Sequence, residues 1–181
     1  MAAFLMLASL AGVARARAPE PPDAVAAAIA DAARPPADTA RDANRQPAAL
    51  LAFAGVKPGD RVADYAAGGG YFTRLFASVV GPRGHVYASV PSPLFQYQNI
   101  VKGTADIEAF AKDHANVSLT FAAPLEAARY PEKLDIFWIS QNYHDLPDPF
   151  MGPVDMAAFN RAVFAALKPG GVYVIVDHVA A

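Results

Sequence analysis

The chain has no cysteine. That excludes disulfide staples, thiol nucleophiles and cysteine-ligated metal centres, and it leaves the redox compartment open. Its four histidines, His85, His114, His144 and His178, form no HxxxH pair, so spacing gives no reason to expect a metal site. No GxSxG elbow is present, and the few serines do not fall at a sharp strand-to-helix turn, which argues against a serine hydrolase. Charge of one sign is also missing: 15 basic against 17 acidic residues give a net charge of -2. A broad surface for nucleic-acid phosphates or anionic lipid is therefore not implied, and small molecules are the expected partners.

What is present is a 181-residue chain, 54% hydrophobic and 10% aromatic, enough to build the core of one domain. Residues 2–14 are small and apolar, too few for the roughly 20 residues that span a bilayer. They end at Ala14-Arg15-Ala16 and Ala16-Arg17-Ala18, two small-x-small patterns of the signal-peptidase type. Residues 1–18 are thus expected to be a signal peptide, with export to the periplasm and no stable membrane association after cleavage. No Lys or Arg precedes the run, and the plain alternative is an N-terminal helix of a cytoplasmic protein. Residues 19–37, with APEPPD and Pro35-Pro36, are expected to form a Pro/Ala-rich tether ahead of a domain over 38–181.

Within that domain, 38–54 has a helical pattern with Pro47 suited to a first turn and Gly55 as the stop. Lys57-Pro58-Gly59-Asp60 is a turn. Strand-like runs follow at 61–65, 85–90, 117–121, 134–140 and 172–177, separated by helix-like stretches at 71–80, roughly 94–114 and 156–167. Alternation of this kind predicts an α/β fold, a Rossmann-like doubly wound, mostly parallel sheet with its ligand crevice at the carboxyl ends of the strands.

The segment from Asp64 to Tyr71, DYAAGGGY, leads a buried strand into a glycine turn and then an amphipathic helix. Glycines let a backbone approach a ligand closely. A dinucleotide loop would read GxGxxG, whereas Gly68-Gly69-Gly70-Tyr71-Phe72-Thr73 ends in Thr and follows an acid, which disfavours a pyrophosphate. This loop, together with Leu167-Lys168-Pro169-Gly170-Gly171 before the run VYVIVD, resembles the class I S-adenosylmethionine-dependent methyltransferases, in which an acid-x-Gly-x-Gly-x-Gly loop closes strand one and an LKPGG-like turn introduces strand five. More narrowly, RDANRQPAALLAFAGVKPGDRVAD, QNYHDL and VDH resemble a group of bacterial, often exported, methyltransferases of unassigned substrate, over about residues 38–178.

The resemblance implies S-adenosylmethionine as cofactor and methyl transfer to a small-molecule acceptor. It implies a cofactor site at Asp64, Tyr65, Ala66, Gly68, Gly69, Gly70 and Tyr71, at Ser89 and Val90 after strand two, and at Gln141 and Asn142 after strand four. Two departures stand out. Ala66 occupies a place that is usually glycine, which a methyl group tolerates if φ there is negative. Val90 falls where a ribose-binding acid is usual, at a cost of about 1.5–3 kcal/mol or ten- to a hundred-fold in affinity. These departures give an alternative reading, a non-catalytic or weakly cofactor-binding module of the same fold.

In QNYHDL, beside the crevice, His144 offers an imidazole, the side-chain type that most often serves as a general base, and Tyr143 offers a ring and a hydroxyl to orient a sulfonium or an acceptor. The bland reading has Asn142 or Asp145 capping a turn and His144 bonding backbone. Asp177 and His178 are adjacent on a strand, so they are expected to face opposite ways. Arg41, Asp42, Asn44 and Arg45 form a polar cluster that serves either as a lid over the cofactor or as an exposed helix start. Family members normally carry two further strands, so the domain is expected to be C-terminally incomplete, with an exposed strand-five edge open to self-association.

Overall fold

The computed structural model describes residues 24–178. The expected signal peptide and the first part of the expected tether lie outside them. Helices α1 (Ala24–Ala30), α2 (Pro36–Thr39), α3 (Asp42–Arg45) and α4 (Pro47–Ala54) precede β1 (Arg61–Tyr65) and α5 (Tyr71–Val80). β2 (His85–Pro91), α6 (Gln98–Asp113), β3 (Val117–Ala122), β4 (Leu134–Ser140), α7 (Met156–Ala166) and β5 (Leu167–Val176) complete the chain. The five strands form one parallel sheet in the order β3-β2-β1-β4-β5, the doubly wound arrangement expected from the alternation of strands and helices. No helix among the described residues is long and apolar enough to cross a membrane.

The period of two along each strand divides the core into two layers. Val62 of β1, Ile136 and Trp138 of β4 and Val174 of β5 pack against Phe72, Leu75 and Phe76 of α5. Ala63 and Tyr65 of β1 and Phe137 and Ile139 of β4 face the other way, toward Phe159 and Val163 of α7. Asp64 belongs to the α5 side, where Thr73 meets it.

Three differences from the sequence reading have physical causes. Part of the expected tether is folded: Val25, Ala28 and Ile29, spaced i, i+3, i+4, lay one face of α1 on the α5 side of the core. The single helix expected over 38–54 is three short ones. Gln46, which precedes Pro47, is excluded from the helical region and takes φ 47°, ψ 50°. Finally, β5 begins at Leu167 rather than Val172, because LKPGG is absorbed as an irregularity in the pairing with β4, between the Leu134–Leu167 and Ile136–Val172 partners. A side chain at Gly171 would meet the carbonyl of Leu134 at 2.9 Å, and Lys168 Nζ bonds Asp135 at 2.7 Å. That motif fastens the amino end of β5 and lies far from the carboxyl-end crevice.

Candidate functional site

A cleft of about 530 Å³ opens at the carboxyl ends of β1 and β4, inside the size range of small-molecule sites. Its floor is the loop after β1, with Asp64, Ala66, Ala67, Gly68 and Gly69, and one wall is Ser140, Gln141 and Asn142 after β4. Asp38, Arg41 and Arg45 from α2, α3 and the turn between them close it on a second side, and Asn99, Lys102, Gly103 and Asp106 of α6 on a third. A hollow of about 600 Å³ lies at the amino ends of the strands, against Arg61, His85 and Asn116. In a parallel sheet ligands bind at the other end.

The loop comes close to α6 because neither side carries a side chain at the contact: a Cβ on Gly103 would lie 2.9 Å from Gly69 Cα. Gly70, at φ 83°, caps the start of α5, and a Cβ there would meet Ile107 at 2.9 Å. Gly68, at φ 55°, has open space where its Cβ would be. Ala66 has φ 61°, contrary to the negative φ that would have made its methyl group harmless, and Gln141 has φ 64°. With Gln46 they are the positive-φ residues other than glycine among those described. All three lie in the cleft wall or next to it, which is where backbone strain of about 1–3 kcal/mol per residue tends to collect.

The left-handed conformation of Ala66 gives a direct prediction. It costs roughly 1–2 kcal/mol for alanine, against roughly 0.5–1 kcal/mol of extra unfolded-state freedom for glycine. Ala66→Gly should therefore raise the urea unfolding free energy by about 0.5–1 kcal/mol, and a decrease would show that the loop does not hold this backbone.

Charge in the cleft is arranged around a buried carboxyl, Asp64, and a half-buried guanidinium, Arg45. Asp64 is 3% exposed, and burial pushes its carboxyl up to about 7, although the Thr73 hydroxyl donates to it at 2.6 Å and Arg45 lies within electrostatic reach. Arg45 donates to Gln141 Oε1 at 2.8 Å across the cleft mouth and rests 5.4 Å from the Tyr71 ring centroid. Burial first, then the neighbouring Arg41, make its charge costlier to carry than usual. Among the described residues Arg45 forms no ion pair, whereas Arg74 is held by Asp38 at 2.6 Å and Arg34 by Asp42 at 2.7 Å. The Tyr71 hydroxyl donates to Asp42 at 2.6 Å, tying the segment before the sheet to the first residue of α5.

The residues singled out in the sequence are distributed unevenly. Asp64, Ala66, Gly68, Gly69, Tyr71, Gln141 and Asn142 line the cleft, as do Arg41 and Arg45 of the polar cluster. Tyr65 points into the α7 side of the core, where its hydroxyl donates to the Pro124 carbonyl at 2.9 Å. Gly70 shapes the helix start without lining the cleft, and Ser89 and Val90 are buried in β2 away from it. Tyr143 is bound to α7, its hydroxyl accepting from Asn160 Nδ2 at 2.9 Å. His144 is exposed beside the cleft. Its backbone N–H donates to Asp177 Oδ2 at 3.1 Å, and its Nδ1 lies 2.7 Å from Asp177 Oδ1.

Asp177 and His178 were expected to face opposite ways. The strand ends at Val176, so strand alternation no longer applies, and both side chains come to His144. Sequence reasoning missed Asn99, Lys102, Gly103 and Asp106; the available signal was Gly103, a lone glycine inside a helical pattern.

No protein-family model and no curated protein sequence matches the chain. Among solved structures, a SAM-dependent methyltransferase from Aquifex aeolicus superposes with a TM-score of 0.53 at 22% identity, over 71% of this chain and 62% of that one. TrmN from Thermus thermophilus gives 0.52 at 24% identity, over 70% and 36%. Precorrin-6y C5,15-methyltransferase from Geobacter metallireducens gives 0.51 at 21% identity, over 71% and 59%. The chain thus has the class I methyltransferase fold, and it spans between about a third and three-fifths of the length of these three structures.

Proposed function

We propose that the chain binds S-adenosylmethionine in this cleft and directs its methyl group to a small-molecule acceptor. The observation that carries the reading is one cleft holding both a buried carboxylate, Asp64, and a half-buried guanidinium without an ion pair among the described residues, Arg45. A ligand with a cationic amine and sulfonium at one place and a carboxylate at another matches that pair, and a pyrophosphate would meet Asp64 unfavourably. The glycine floor fits too, since Gly68 and Gly69 leave the backbone bare toward the cleft. The buried Val90 offers nothing to ribose hydroxyls, so in this reading Asp106 and Asn99 on α6 accept and donate to them instead.

When bound, the cofactor supplies an electrophilic methyl group. The chain's own work is to hold donor and acceptor in line at close range, the largest part of such catalysis. Asp64 and Arg45 grip opposite charges, and Gln141 ties the lid residue Arg45 to the end of β4. On the acceptor side His144, oriented by Asp177, takes a proton where the acceptor must lose one. Tyr143, its hydroxyl engaged by Asn160, contributes its ring rather than a proton. A chain of net charge -2 whose cleft carries Arg41, Arg45 and Lys102 as cations without an ion pair among the described residues suits a small acceptor better than a polyanion.

Isothermal titration with S-adenosylmethionine and with its demethylated product tests the reading. Binding is expected, and Arg45→Ala should weaken it ten- to a hundred-fold, the effect of one lost charge-assisted bond. No heat up to millimolar ligand from folded protein would discard the enzyme reading in favour of a non-catalytic module.

A further inference from the structure

The carboxyl ends of β4 and β5 bring together a group outside the lining of the cofactor cleft. One ligating atom from each of His144, Asp177 and His178 lies within 4.8 Å of the others. The backbone fixes the placement: Ser140 and Val176 are register partners, and the Gln141 N–H donates to the Val176 carbonyl at 2.7 Å, so the residues that follow leave the sheet side by side. The His144 N–H then positions the Asp177 carboxylate, and the two imidazole rings stand 5.4 Å apart at an interplanar angle of 65°. A fourth donor, an oxygen, is at hand, Asp145 Oδ1 at 3.3 Å from His144 Nε2.

We infer that His144, Asp177 and His178 form a binding site for a divalent transition-metal ion of the zinc class, at the acceptor side of the cleft. Two imidazoles and a carboxylate select this class over magnesium or calcium, which prefer all-oxygen ligands. Bonds of about 2.1 Å in a tetrahedral site put ligand atoms roughly 3.4 Å apart, so a small side-chain rotation closes the group around an ion. His144 and His178 are exposed, which leaves coordination positions open to solvent, in the manner of a reactive rather than a purely structural site. Asn142, which lines the cleft, donates to Asp145 Oδ2 at 2.9 Å and so links the metal group to the cofactor wall. The open positions would take an oxygen or nitrogen of the methyl acceptor, and with the ion bound His144 serves as its ligand, the metal rather than the imidazole then easing loss of the acceptor's proton. That role rests on the methyl-transfer reading; the metal site itself does not.

Untagged full-length protein is dialysed against Zn²⁺ and then against metal-free buffer, and the retained metal is measured by mass spectrometry. One zinc per chain is expected. Asp177→Asn and His178→Ala should each weaken Zn²⁺ binding at least tenfold in a competition titration, with urea midpoints that show both variants folded. Co²⁺ in place of Zn²⁺ should give a visible spectrum that disappears in His178→Ala. Retention of less than a tenth of an equivalent, or Zn²⁺ affinity unchanged in a variant combining Asp177→Asn with His178→Ala, overturns the site. Titration of S-adenosylmethionine in the presence of EDTA reads the cofactor cleft alone, so failure of the metal site and failure of the methyl-transfer reading remain distinguishable.

Discussion

Gly103→Val is expected to destabilise the protein by about 3 kcal/mol and to weaken S-adenosylmethionine binding about a hundredfold. Intrinsic propensity alone predicts the opposite sign, because a glycine inside α6 costs up to about 1 kcal/mol relative to a better helix former. Packing decides. The first carbon of any side chain at 103 lies 2.9 Å from Gly69 Cα and 3.1 Å from Gly69 N, and both are backbone atoms of the loop that cannot rotate away. Either α6 withdraws from the cleft with Asn99, Lys102 and Asp106, or the loop after β1 is displaced from under the ligand. Gly103→Ala should show the same two losses in smaller measure. The urea midpoint and the binding heat are the readouts, and a valine variant matching the parent in both would mean that α6 and the glycine loop are not in contact.

Cofactor affinity should rise roughly 20-fold between pH 5.5 and pH 7.5, through the ionisation of Asp64. Burial holds its carboxyl up to about 7 in the folded chain, and a cationic amine or sulfonium requires the ionised form, so below that pH binding must expel a proton. Calorimetry in buffers of different ionisation enthalpy measures the proton released, which should approach one at pH 6 and vanish above pH 8. Asp64→Asn should bind weakly with no such dependence. The same group sets a trend in the stability of the ligand-free protein. Below about pH 4 the carboxyl is protonated whether the chain is folded or not. Between about 4 and 7 only the folded form keeps its proton, so stability falls as pH rises, by at most about 4 kcal/mol in all, and then levels off. Proton release indistinguishable from zero at pH 6 would remove Asp64 from contact with the ligand's positive charge.

The sheet was legible because its strands are short apolar runs bounded by glycine and proline: 61–65 and 134–140 coincide with β1 and β4. Helix α5 at 71–80 was legible for the complementary reason, a 3.6-residue period that places Phe72, Leu75, Phe76 and Val79 together. The floor of the cleft could be read from local sequence, since the positive φ at Gly68 and Gly70 belongs to a contiguous loop. Its walls could not. Arg41 and Arg45 look like any solvated helix face until tertiary structure brings Tyr71 beneath them, and Asn99, Lys102 and Asp106 stand on the polar side of an amphipathic helix. Nor does spacing announce His144 with Asp177 and His178, 33 and 34 positions away in sequence, because their meeting depends on which strands are neighbours.

The bond from Arg45 to Gln141 joins residues 96 positions apart, and it spans the mouth of the cleft. Chains are made from the amino end, so the segment carrying Arg45 leaves the ribosome well before β4, the strand that precedes its partner. Contacts of such long sequence separation form late, after the loop entropy of closing them has been met by the packing of the sheet. The binding site is therefore expected to be among the last parts of the molecule to assemble. Its ligand would act on a nearly finished fold, slowing the release of the amino-terminal segment rather than guiding the early formation of the sheet.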